Sequence, residues 1–444
     1  MIWIIAARET LDSLMSMKFL FGTLLCLVLV VISTVISLQD YQSRMSEYES
    51  AIAEFNEKPD IFRVRIYRKP EVLSILARGF ERRFGNIAVT GHTGAMPIQA
   101  SGFMGTSESE QFSSEFASID FLFVVKVVLS LLAIFISYDA ISGEYERGTL
   151  KLTLSRPVSR SSIILGKLIS GAVCLFIPLI MSFIIGVLII QLVGGLDFTG
   201  EDWGRTSLIF GVTALCVMSF YMIGIVVSSR TRQAAKSLLI LLIIWLVSVF
   251  LIPGIVTAAM DRYRLMTPNP RKDISAMRSD FYQRRLADPQ PNFAIDNEAY
   301  NKWRAKWDEL EDEASRSIWN MQRQYLNRLY FQADLVRWIC RISPSESCAY
   351  AAEAIARTDV AAYRSFMNFV RVFHEEHRAF AKSLWTDREK FQSEREKYQK
   401  AVDVPAINLY ASFRAAMPDI CLLIILNCLF FMLLMLFFIR YDVH

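Results

Sequence analysis

No Gly-x-x-x-x-Gly-Lys-Ser/Thr occurs in this 444-residue chain. The nearest approach, Gly166-Lys167, is followed by Leu168 and has Ser161 where the first glycine should stand. Without a backbone loop to cradle phosphates, the chain is not expected to hydrolyse ATP itself. A Gly-x-Ser-x-Gly nucleophile elbow is missing too, which removes the serine-hydrolase signature. Histidine is scarce, four in all, and His374-Glu375-Glu376-His377 is the one close pair. Histidines at i and i+3 share a helix face. This is not the His-Glu-x-x-His of zinc proteases, however, and no third histidine is near, so no metal site is expected. The formal net charge of +4 is too small to argue for a nucleic-acid partner. No cleavable signal is expected, because the first apolar run lacks a small-x-small site and follows a charged start.

Cysteine says little about redox. Cys26, Cys174, Cys216, Cys421 and Cys428 lie in apolar runs, where cysteine behaves as a small hydrophobe. Cys340 and Cys348 lie in a polar region. A disulfide there would close a very short loop, so two free or buried thiols are the stronger reading.

What the chain does have is two populations of sequence. It is 53% hydrophobic and 21% charged, with mean hydropathy +0.32, which fits a membrane protein with a sizeable aqueous part. Residues 1–18 mix apolar and charged positions and are expected to lie in the interface as an amphipathic helix. Runs of about 20 apolar residues, enough to cross a bilayer, predict spans at 19–38, 119–137, 163–193, 207–228, 237–258 and 419–439. Between the first two, 39–118 begins as a helical extension. It holds strand-like alternation at Phe62–Tyr67 and Asn86–Thr90, the mark of a small α+β insert. The short loops at 138–162 and 229–236, and Arg440, are basic, and 194–205 is acidic. Positive charge therefore puts both termini on the cytoplasmic side and both long polar regions outside.

The region 259–418 carries two long helical stripes. Trp303, Trp307, Leu310, Ala314, Met321, Tyr325 and Leu329 form one; Tyr363, Phe366, Val370, Phe373, His377, Phe380, Leu384, Phe391 and Tyr398 form the other. Heptad-like spacing predicts an antiparallel hairpin, with its tip near Ser343–Thr358 where Pro344 interrupts the pattern. Lys126, inside an apolar run, is a functional candidate by default unless it snorkels or pairs with Asp120. With Asn427 it forms the candidate translocation path.

The stretch Tyr138–Lys167 sits between two spans and is unlike a plain connector. Asp139, Glu144 and Glu146 precede Arg147, Lys151, Arg156 and Arg160, with Gly143 and Gly148 bracketing the acidic pair and Pro157 stopping the block. Glu144, Glu146, Gly148, Thr149, Leu150, Pro157, Arg160, Gly166 and Lys167 together resemble the coupling segment of ABC-type-2 exporter permeases. Arg341–Asp359 is similar to an outer domain found in some of the same permeases. The first resemblance implies that 138–162 docks on a separate cytoplasmic ABC ATPase, which would bind ATP and Mg, so that this chain needs no cofactor. Asp139, Gly143 and Arg147 join the coupling set. It also implies a second permease copy or paralogue and a bacterial inner-membrane location. Function is expected to be the non-catalytic permease subunit of an exporter-like complex. The alternative is mechanotransmission, in which the outer helices move to act on a periplasmic partner and nothing crosses.

Overall fold

The computed structural model describes residues 2–60, 63–79, 87–91, 99–100, 120–150, 155, 159–265, 270–292, 294–386 and 388–439. The chain is a helical polytopic membrane protein. Helix α1 (Ile2–Leu14) leads into α2 (Met17–Glu57), whose Ser16 cap accepts from Phe19 N. After the first polar region come α3 (121–137), the short α4 (Ser142–Glu146), α5 (Arg160–Leu188), α6 (Gly200–Ser228) and α7 (234–265). The second polar region holds α8 (Arg271–Ala287), α9 (Asn297–Cys340), α10 (Pro344–Ala356), α11 (Val360–Thr386) and α12 (Arg388–Glu394). Helix α13 (Leu409–Ile439) is the last element among the described residues. Six of these helices are long and apolar enough to cross a membrane: α2, α3 with α4, α5, α6, α7 and α13.

Local chemistry accounts for the helix starts. Asp120 caps α3 by accepting from Phe123 N at 2.8 Å, and it also takes Arg78 N at 3.2 Å. Ser159 caps α5, and Thr199 with Asp202 forms a reciprocal capping box on α6. Three spans carry one π turn each, at Val125–Leu129, Ile189–Val193 and Val247–Leu251. Pro253, which has no N–H to give, follows the third. Helices α5 and α6 come so close that a Cβ on Gly171 would fall 1.8 Å from the Tyr221 ring.

The two polar regions form one body. Strands β1 (Arg63–Tyr67), β2 (Ile87–Gly91), β3 (Gln99–Ala100) and β4 (Val402–Asp403) make a sheet of order β3-β2-β1-β4. Strand β1 pairs antiparallel with β2 and parallel with β4, so residues on either side of four spans share the sheet. The core beneath combines Phe55, Val64 and Ile66 with Tyr325, Phe366, Val370 and Phe380. Helix α2 runs about 60 Å at 1.5 Å per residue, far enough to cross the bilayer and rise into this body. Phe281 and Trp307 anchor α8 on α9 with ring centroids 5.7 Å apart.

The segment expected at the hairpin's tip lies elsewhere. Helix α10 is buried among the spans, packed chiefly on α6 and α13. It runs antiparallel to α6: Cys216 Sγ donates to Pro344 O, Cys348 Sγ to Val212 O, and Arg205 Nη1 to Ile355 O at 2.7 Å. Cys216 sits just past the midpoint of the 29-residue α6, so the start of α10 reaches about mid-membrane. The chain comes down through α9, re-enters the bundle with α10 and climbs away through α11. Pro344 fits the first turn of α10 rather than a loop tip. Its run of Ser, Cys and Ala lets backbones approach closely.

Cys340 and Cys348 are both buried free thiols. A maleimide is expected to label neither in the folded, detergent-solubilised chain and both after denaturation. A second, faster band on non-reducing gels, abolished by reductant, would refute the free-thiol assignment.

Candidate functional site: a coupling segment and a re-entrant helix

At the end of the bundle that carries α1, α4 is held from several directions. Ser228 Oγ at the foot of α6 accepts from Ile141 N and Ser142 N, each at 3.0 Å. Lys167, 3% exposed, donates to Glu144 Oε1 at 2.6 Å and to Glu9 Oε1 at 2.9 Å, which joins α1, α4 and α5. Lys18 donates to Asp139 at 2.9 Å. Glu146 accepts from Ala234 N at 3.0 Å at the start of α7, where the helix dipole favours a carboxylate. Arg160 donates to Phe438 O at 3.1 Å, at the end of α13.

The sequence candidates thus divide. Asp139 and Glu144 face inward and tie the α4 region to α2, α1 and α5, with Gly143 and Leu150 buried beside them, while Arg160 ties α5 to α13. Glu146 is exposed while it caps α7; Arg147, Gly148 and Thr149 are exposed as well. Gly148 has φ +75°, a turn that glycine adopts without strain. Pro157, with Lys151 and Arg156, lies outside the described residues. Arg232, stacked over the Tyr145 ring at 5.5 Å, adds the α6–α7 turn to this surface. The sequence reading missed Glu9 and the Arg232 stack. A charge on an amphipathic helix was visible there, but nothing in the spacing named a partner.

At the opposite end, α10 gathers the charges buried between the spans. Lys126, on the π turn of α3, donates to Glu346 of α10 rather than to Asp120, whose carboxylate caps α3. Ser248, on the π turn of α7, shares a hydrogen bond with Ser343 at 2.8 Å. A π turn swings a side chain out of the regular stripe, and here two of them aim polar groups at one helix start. Asp419 of α13, fully buried, accepts from Arg337 at 2.9 Å and from Arg341 at 2.6 Å. Arg205, 1% exposed, also reaches Ser412 Oγ, Ile407 O and Glu201. Above α10, burial pushes the Asp359 carboxyl above its usual value, while Ala362 N and Arg337 hold it down. Asn427, the other path candidate, donates to Ser219 Oγ at 2.7 Å and to Leu215 O at 3.1 Å, fastening α13 to α6. Both path candidates are therefore engaged in contacts within the bundle. Among the described residues no group of three His, Cys, Asp or Glu side chains could hold a metal ion.

Comparison with known proteins adds two findings. A family model described as "ABC-2 family transporter protein" matches residues 3–359. The "Probable ABC transporter permease protein NosY" of Stutzerimonas stutzeri is 28% identical over 134 residues, which is 30% of this chain and 48% of that protein. The match thus spans about half the length of that curated relative.

Proposed function

Since the chain belongs to the ABC-2 family of transporter proteins, and is thereby a membrane permease subunit, we propose that it converts the movement of a separate cytoplasmic ATPase into movement of its own helical domain. The observation that carries this reading is the pair of attachments on one span. Helix α3 is joined through a single turn to α4 and its exposed Arg147–Thr149 edge, and it holds Glu346 of the re-entrant α10 through Lys126. A push at one end has a charged, desolvated grip on the helical domain at the other. ATP and Mg would be bound by the ATPase, and Arg147, Gly148, Thr149 and Arg232 form the surface offered to it. A second copy of the chain or a paralogue would complete the complex. The basic short loops favour both termini on the cytoplasmic side and the helical domain outside; family membership favours a bacterial inner membrane, which would make that domain periplasmic, where it would act on a partner.

Export of a substrate is the second reading, and family membership favours it. Against it, α10 fills the half of the bundle where a path would run, and Lys126 and Asn427 bind other helices.

Arg147→Glu tests the ATPase surface. Its side chain is exposed, so folding is expected to be unchanged within about 0.5 kcal/mol. Co-purification of a co-expressed ATPase should fall severalfold, since like charge across an interface opposes docking. Undiminished recovery of the ATPase would remove this edge from the contact.

A further inference from the structure

Far from the bundle, α9 and α11 enclose a groove of about 380 Å³ that the transmission reading does not use. Asp312, Arg316 and Trp319 line it from α9; Arg371, His374 and Arg378 face them from α11, with Glu375 and Lys382 at the rim. Charge here is unbalanced. Arg378 and Lys382 share Asp312, with Lys382 at 3.0 Å, and Arg371 takes Glu375 at 3.3 Å. Arg316 gives its Nε to the Asp312 carbonyl at 3.2 Å and pairs with no carboxylate among the described residues. Four cations thus face two carboxylates. His374 adds a second signal, a buried Nδ1 with no hydrogen-bond partner. Burial, and then His377, hold that imidazole below its usual value, so it is neutral at pH 7. A buried polar atom without a partner is costly.

We propose that this groove binds a small anionic ligand, a carboxylate or phosphate ester whose flat apolar part lies on Trp319. Its volume falls at the small end of the range for small-molecule pockets, roughly 300–1,000 Å³, too little for a folded partner. Arginines on both walls suit a planar or tetrahedral oxyanion, which they grip with paired N–H groups. With its proton on Nδ1, the neutral His374 donates to the oxyanion the hydrogen bond it lacks. Trp319 supplies the aromatic face.

The test uses the full chain in nanodiscs and isothermal titration with phenyl phosphate, benzoate and, as the neutral control, benzyl alcohol. Saturable binding of at least one anion and none of the alcohol is expected; which anion binds tighter separates a phosphate ester from a carboxylic acid. Arg316→Gln and Arg371→Gln, on opposite walls, should each weaken the anion roughly tenfold, the loss of one charge-assisted hydrogen bond. Trp319→Leu should weaken phenyl phosphate while leaving inorganic phosphate unchanged. Failure of both anions to saturate, or an affinity unchanged from the parent chain in both arginine variants, overturns the site. Neither result bears on ATPase association, so the transmission reading stands or falls separately.

Discussion

Lys126→Met is expected to destabilise the folded chain by about 3–5 kcal/mol, the usual cost of removing one partner from a buried ion pair. The reason lies with what remains. Glu346 is buried at the start of α10, with apolar neighbours and the Ser343–Ser345 hydroxyl pair close by. Once Lys126 is gone, its charge has no counter-ion there and water enters with difficulty. The double variant Lys126→Met with Glu346→Met should recover most of the loss, because an apolar pair of similar volume removes both desolvation costs. Chemical unfolding of the four proteins of this cycle in detergent isolates the coupling. Additive effects would mean that the two residues do not depend on each other, and the grip assigned to α3 would go with them. Under the transmission reading, Lys126→Met should also leave ATPase co-purification intact while reducing any ATP-dependent change in spacing between labels on α6 and α11.

Lys167→Met is expected to release the N-terminal helix, at a cost of about 3 kcal/mol. Lys167 stands between Glu9 and Glu144, and without it two carboxylates face each other with no cation between them. Helix α1 has a second hold on the bundle, the Ile5 side chain against Gly166, where a Cβ would come within 2.8 Å. Limited trypsin digestion reads the outcome at Arg8, which should become cleavable in Lys167→Met. Adding Glu9→Gln should restore protection, since it removes the repulsion. Protection at Arg8 in the single variant would show that apolar packing alone holds α1.

The six spans were legible because hydropathy is a local property that a lipid solvent enforces on each helix separately. The stretch 138–167 stood out in the sequence because its charges and glycines crowd between two spans. The position of α10 was not. Pro344, Ser343, Ser345 and Glu346 look like surface residues one by one, and a helical period reports which face is apolar without saying what it meets. The signal that pointed inward was the lone Lys126, which needs a buried carboxylate; only the fold says that 220 residues separate the two. Strand β4 escaped for a related reason. Two residues carry no alternation, and their pairing with Ile66 and Tyr67 exists only once the spans between them are in place.

That pairing sets an order of assembly. As the chain emerges, β1 waits through four spans and the whole of α8–α12 before β4 can join it, and α10 lies against α13, which is made after it. The bundle therefore cannot close around α10 until α13 has been made, nor can β1 gain β4 until the segment just before α13 has emerged. Contacts of such sequence separation form slowly, because loop entropy is lost before they stabilise anything. Until then Glu346 and Asp419 must stay hydrated or find temporary partners. A ribosome stalled ahead of α13 would hold a chain whose first five spans are inserted and whose re-entrant helix is still looking for its last wall.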